Sequence, residues 1–138
     1  MYRHLLVPVD DTDLSVAVVG DAVALARPLG ARITFFHAVA DASASLRGDA
    51  EVLRLTARDE YEYAYVGKAQ ELLAKAMAAA RALGVPCQSR HVVSDRPAQA
   101  IVAAAQEEGC DLIFMASHGG HGKLGTKRGD AVIAFALP

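Results

Sequence analysis

The residues with the most chemical promise lie in "DLIFMASHGGHGKLGTKRGD", residues 111–130, where an apolar run meets a stretch with five glycines, two histidines and three basic residues. Glycines let the backbone approach an anion closely, and N–H groups and cations can then surround it, so the segment reads as a candidate phosphate cradle. Two glycine signatures fail on their own physics. Gly120-His121-Gly122-Lys123-Leu124-Gly125 fits G-x-G-x-x-G, but a dinucleotide fingerprint must open a strand–helix–strand unit and needs an acidic residue about 20 positions later. Only 13 residues follow Gly125. The Gly122-Lys123 pair lacks the rest of a P-loop, because Leu124 stands where a metal-binding hydroxyl is needed and Ser117 where the first glycine belongs.

Other chemistry finds less support. Ser117 and His118 are sequence neighbours without the G-x-S-x-G elbow, so no catalytic nucleophile is assigned. His118 and His121 are three apart, and His37 closes a strand-like run, but no cysteine or acidic pair stands at ligand spacing beside them, so no metal site is assigned. Cys87 and Cys110 are isolated and read as core filler rather than a redox pair.

A chain of 138 residues, 53% of them hydrophobic, suits one domain spanning residues 1–138. Its net charge of -2, with both signs interspersed, offers no basic face for nucleic acid. There is no signal-peptide pattern and no apolar run near the roughly 20 residues that span a bilayer. A soluble cytoplasmic protein without nucleic-acid or membrane partners is the expectation.

The cradle needs elements to position it, and apolar runs alternate with helix-periodic segments in the manner of an open, mostly parallel sheet with helices on both faces, an α/β fold. "HLLVPV", residues 4–9, reads as a buried strand ending in the acidic turn Asp10-Asp11-Thr12-Asp13. A helix follows from Asp13, with Val18, Ala22, Leu25 and Leu29 at spacings of three and four and Gly30 as its left-handed stop. "ARITFFHAV", residues 31–39, is a second strand, and "ADASASLRGDA" a loop. A long helix starting between residues 50 and 61 ends before Gly84. "CQSRHVV", residues 87–93, is a polar third strand near a sheet edge. Asp95 is positioned to cap the next helix, with Pro97 in its first turn and Gly109 as its stop. "DLIFMA", residues 111–116, is a fourth buried strand that leads into the glycine loop. "DAVIAFALP" reads as the start of a last helix, which leaves four strands and an uncovered outer edge on the fourth.

The sequence resembles the universal stress protein family along nearly its whole length, through "YRHLLVPVDDTDLS", "LGARITFFHAV" and "SDRPAQAIVAAAQEEGCDLIFMASHGGHG". The resemblance implies a Rossmann-like fold of the adenine nucleotide alpha hydrolase type and binding of ATP or a related adenine nucleotide. ATP-binding members carry G-x2-G-x9-G followed by Ser or Thr, which falls here on Ala116, Gly119, Gly129 and Asp130, with Gly122 also in the cradle. Glycines admit the phosphates, a helix N-terminus after the loop points N–H groups at them, and the hydroxyl adds a donor. Ala116 is a mild departure. Asp130 puts a carboxylate where a donor is expected, and a unit-charge pair at about 4 Å is worth roughly 4 kcal/mol at an effective dielectric of about 20. A magnesium ion bridging Asp130 to phosphate reverses that sign.

Between these glycines, Lys123, Lys127 and Arg128 either pair with phosphate oxygens or form a solvated basic loop. The resemblance further implies Asp10 beside ribose and phosphates, Pro8 and Val9 against the base, the Ala38 backbone bonding the adenine, and Met115 in the pocket wall. For Asp10 the alternative is a turn residue closing on its own backbone. On this reading the family's last strand is missing, so a homodimer is expected through an interface that the resemblance does not fix, alongside unknown protein partners. Two functions follow: a stress-response module that binds adenine nucleotide weakly, with at most feeble ATP hydrolysis, or a non-nucleotide-binding interaction module.

Overall fold

The computed structural model describes residues 2–39, 51–118 and 130–137, and side chains within 2–39, 65–116 and 133–137. The elements run β1 (His4–Pro8), α1 (Asp13–Leu29), β2 (Arg32–Val39), α2 (Glu51–Ala82), β3 (Cys87–Val93), α3 (Pro97–Glu107), β4 (Leu112–His118) and β5 (Asp130–Ala136). They build one sheet in the order β3-β2-β1-β4-β5, parallel except for β5. The chain winds outward from β1 to β3, then returns beside β1 as β4.

Strand alternation sorts two cores. Leu5 and Val7 of β1, Ile33 and Phe35 of β2 and Leu112 and Phe114 of β4 face α1 and α2, where Val18, Ala22, Val23, Leu73 and Ala80 meet them. Leu6, Phe36 and Ile113 face the other way, onto Ala104 and Ala105 of α3. Phe35 and Phe36 are fully buried on opposite faces, and full burial of each such side chain contributes about 1.5–3 kcal/mol. The central strands therefore read as continuous apolar runs because both faces are covered.

The ends of α1 follow the sequence closely. Thr12 is the N-cap, its hydroxyl accepting from the Ser15 N–H at 3.1 Å, and Gly30 closes the helix in the left-handed region at φ 65°. α3 differs from expectation at its start: Arg96 occupies the N-cap and no side chain caps the helix, although Pro97 sits in the first turn as expected. Ser94 Oγ accepts the Arg96 N–H at 3.0 Å and shapes that turn instead of Asp95.

The larger correction concerns residues 130–136. They form a strand, not the start of a helix, so the sheet has five strands and the β4 edge is covered. β5 runs antiparallel to β4 from His118↔Asp130 to Leu112↔Ala136, and the Leu137 N–H closes the ladder on the Asp111 carbonyl at 3.0 Å. The open row of donors and acceptors along β4 decides the conformation of a segment with mixed propensity, in which the alanines favour helix and Val132, Ile133 and Phe135 favour strand.

Candidate functional site

The winding order reverses between β1 and β4, and at such a point the loops leaving the carboxyl ends diverge and open a crevice. A cleft of about 330 Å³ lies there, lined by Pro8, Val9 and Asp10 after β1, Phe36, His37 and Ala38 of β2, Met115 and Ala116 of β4, Ser15 of α1, and Pro97 and Ile101 of α3. That volume falls at the small end of the range for small-molecule sites. Six of the ten residues singled out from sequence thus meet in one cavity: Pro8, Val9, Asp10, Ala38, Met115 and Ala116. Gly119, Gly122 and Gly129 lie outside the described residues. Asp130 begins β5 opposite His118, and its side chain lies outside the description, as do those of His118 and His121.

Asp10 is held by a local knot. Its Oδ1 accepts the Thr12 N–H at 2.9 Å and also the Thr12 hydroxyl, while its own N–H donates to Ser15 Oγ at 2.9 Å. This is the Asx turn that the sequence left open as an alternative, and it fixes the carboxylate beside the head of α1. A turn role and a ligand role are compatible, because a carboxylate has more than one acceptor oxygen.

On β2, the Val9 N–H donates to the Phe36 carbonyl at 2.8 Å, whereas the Val39 carbonyl accepts the Ser94 N–H on the opposite side. By strand alternation Ala38 directs its N–H and carbonyl to the same side as Phe36, past the end of β1 and toward the cleft. His37 Nδ1 lies 2.6 Å from the Val9 carbonyl. A carbonyl only accepts, so Nδ1 carries the proton and, in the neutral ring, Nε2 is an acceptor.

His37 also borders a smaller cavity of about 140 Å³ with Asp11, Tyr65, Lys68, Ala69 and Leu72, in which Lys68 pairs with Asp11 at 3.4 Å. Sequence reasoning weighed His37 only as a metal ligand and missed its place in the cleft wall. Ser15, Phe36, Pro97 and Ile101 were missed as well. Ser15 was readable from its position three residues after the Thr12 cap; Pro97 and Ile101 come from an element whose docking the sequence does not state. Among the described residues no group of three or more His, Cys, Asp or Glu side chains is placed to hold a metal.

At the opposite end of the sheet, His4 is buried, with Nε2 2.6 Å from Thr34 Oγ1 and Nδ1 lacking a partner among the described residues. Burial, reinforced by Arg32 and opposed by Glu108 and Asp111, holds its pKa below 6.5. Burial also pushes the Cys110 thiol up to about 11, so it stays protonated and inert. Both cysteines are free. For Asp111 burial works upward, but its carboxylate accepts the Arg3 and His4 N–H groups at 2.9 and 3.1 Å, and the net effect lowers its pKa. Asp111 ties the start of β1 to that of β4 and His4 ties β1 to β2, and none of these groups lines the cleft.

A model of the Universal stress protein family matches residues 1–129. The chain belongs to this family. Among solved structures, a universal stress protein family member from Burkholderia pseudomallei is 24% identical with a TM-score of 0.66, over 89% of this chain and 87% of that one. A universal stress protein in complex with cAMP is 23% identical with a TM-score of 0.57, over 81% and 70%. The universal stress protein from Archaeoglobus fulgidus in complex with dAMP is 22% identical with a TM-score of 0.57, over 83% and 80%. At these identities the likeness is one of fold. No curated protein sequence matches the chain. Among the described residues of this universal stress protein, no helix is long and apolar enough to cross a membrane.

Proposed function

We propose that this universal stress protein is a cytoplasmic stress-response module that binds an adenine nucleotide weakly in the cleft at the carboxyl ends of β1, β2 and β4. The observation that carries the reading is the cleft itself, an apolar slot between Val9, Ala38 and Met115 with Asp10 at its rim and the Ala38 backbone aimed past β1. A flat base fits the slot, and a backbone donor and acceptor pair suits the edge of an adenine. Two fold relatives are complexes with cAMP and dAMP, each a single-phosphate adenine nucleotide.

The phosphate half of the site is built differently. Residues 130–136 form a strand, whose N–H groups point sideways into the β4 ladder or out along the sheet edge and do not converge on an anion as at a helix N-terminus. Base and ribose therefore supply most of the affinity, and further phosphates add little. Titration calorimetry should give AMP and ATP affinities within about threefold of each other, under about 0.7 kcal/mol apart. ATP binding more than about tenfold tighter would mean that residues 119–129 form a working triphosphate cradle. If neither nucleotide binds, the reading as a pure interaction module, which β5 favours by replacing the expected helix, takes its place.

A further inference from the structure

On the other side of the Asp10–Ser15 knot, α1 and α2 leave a second cavity of about 370 Å³. Its walls are hydrocarbon: Val16 and Val19 on α1 face Leu72, Ala76 and Ala79 on α2, with Val9 shared between this cavity and the sheet-end cleft. Val19 and Ala76 are buried, while Val16 stands at the lip, 72% exposed.

Gly20 lines this cavity at an exposed position of α1. A Cβ added there meets no atom within 4 Å, and Gly20 does not adopt a positive φ. Glycine inside a helix costs about 0.5–1 kcal/mol relative to alanine, so α1 loses stability at a residue that no backbone constraint requires. A side chain added at this position enters open space beside the cavity.

The cation lining the cavity is Lys75. Lys68, two turns earlier on the same face of α2, is held by Asp11 at 3.4 Å, whereas among the described residues no carboxylate pairs with Lys75. Seven residues of helix set these lysines about 10 Å apart along α2. Asp10 lines the same cavity, where its carboxylate accepts from Thr12. A hydrocarbon slot whose ammonium has no carboxylate partner among the described residues matches a molecule with an apolar tail and a single negative head.

We propose that the α1–α2 cavity is a second small-molecule site, distinct from the sheet-end cleft, that binds a free medium-chain monocarboxylate with its tail along Gly20 and its head at Lys75. The test is calorimetric titration of the full chain with octanoate, octylamine and octanol, which share a tail and differ in head. Octanoate should bind saturably with one-to-one stoichiometry, and octylamine at least tenfold more weakly. Lys75→Met should weaken octanoate about threefold, as expected for an exposed ion pair. Gly20→Phe, whose Cβ meets no atom within 4 Å, should abolish octanoate binding while leaving the circular dichroism spectrum and the response to AMP as in the parent protein. Octylamine binding as tightly as octanoate, unchanged octanoate affinity in a folded Gly20→Phe protein, or no saturable octanoate binding would each overturn the proposal. AMP reports on the other cleft, so a failure of nucleotide binding is read separately.

Discussion

Asp10 shows how one side chain serves two levels of organisation. Its carboxylate closes a turn with Thr12 and its N–H binds Ser15, and the same knot forms the wall between the two cavities. His4 makes the opposite case, a titratable residue whose role is packing. Its folded pKa lies below 6.5, so near neutral pH it is uncharged in the fold and its Nε2 is matched only to Thr34. Between the folded and unfolded values the unfolded chain binds more protons, so stability is full above the unfolded pKa and falls as pH drops through about 6.5 toward the folded value. Asp111 acts in a separate window, since a depressed carboxylate loses its contribution only as pH falls below its ordinary value of 3.8. Urea unfolding at about pH 7.5 and about pH 5.5 should show the native chain weakening on acidification, and His4→Gln should flatten that slope. Equal slopes in the two proteins would assign the acid sensitivity elsewhere.

At the scale of elements, β5 is the departure that matters. Asp111 and Leu137 form a hydrogen-bonded position of the antiparallel ladder, and such positions alternate, so Ile133 and Phe135 direct their N–H groups to β4 while Ala134 directs its own outward. Ile133→Pro should therefore remove a ladder bond and strand the Met115 carbonyl, costing about 2 kcal/mol or more in urea unfolding. Ala134→Pro should leave the β4 ladder intact and cost much less, because its nitrogen faces away from β4. Equal effects of the two substitutions would refute the register. The polar character of β3, in contrast, was legible: Gln88 donates to Thr34 and Glu108 at 3.0 Å, and Arg90 pairs with Glu107 and Glu108, all at the sheet edge expected for that strand. Asp95 failed as a cap because cap identity depends on where the preceding strand releases the chain, which composition does not record.

For the molecule as a whole, three cavities among the described residues ring the turn at Asp10 and Asp11, joined through His37, Leu72 and the Asp10–Ser15 knot. Among the described residues the sheet ends in the edge strands β3 and β5, and β5 adds Phe135, half exposed beside its outer row of N–H and carbonyl groups. Such an edge is a template for another strand. If the homodimer expected from the sequence forms at this edge, two β5 strands pair antiparallel. Sedimentation should then show a dimer for the native chain and a monomer for Ala134→Pro, which blocks the outer edge but leaves the β4 ladder intact. A dimer that survives this substitution would place the interface elsewhere.

Much of the fold was written locally. The β1, β2, β3 and β4 runs, the Gly30 stop, the Thr12 turn and the order of helices and strands follow from burial on both faces, helical periodicity and the freedom of glycine at positive φ. The family motifs marked Pro8, Val9, Asp10, Ala38, Met115 and Ala116 before any contact between them was known. Sequence alone thus marked most of the strands and helices and six of the residues that meet in the cleft. Only the tertiary structure decided that residues 130–136 are a strand, because the hydrogen-bonding edge that selects strand over helix belongs to β4 and not to the segment itself. It alone brought α3 over the cleft and opened the space beside Gly20, since a cavity is the volume left when distant elements dock, and no single stretch of sequence encodes it.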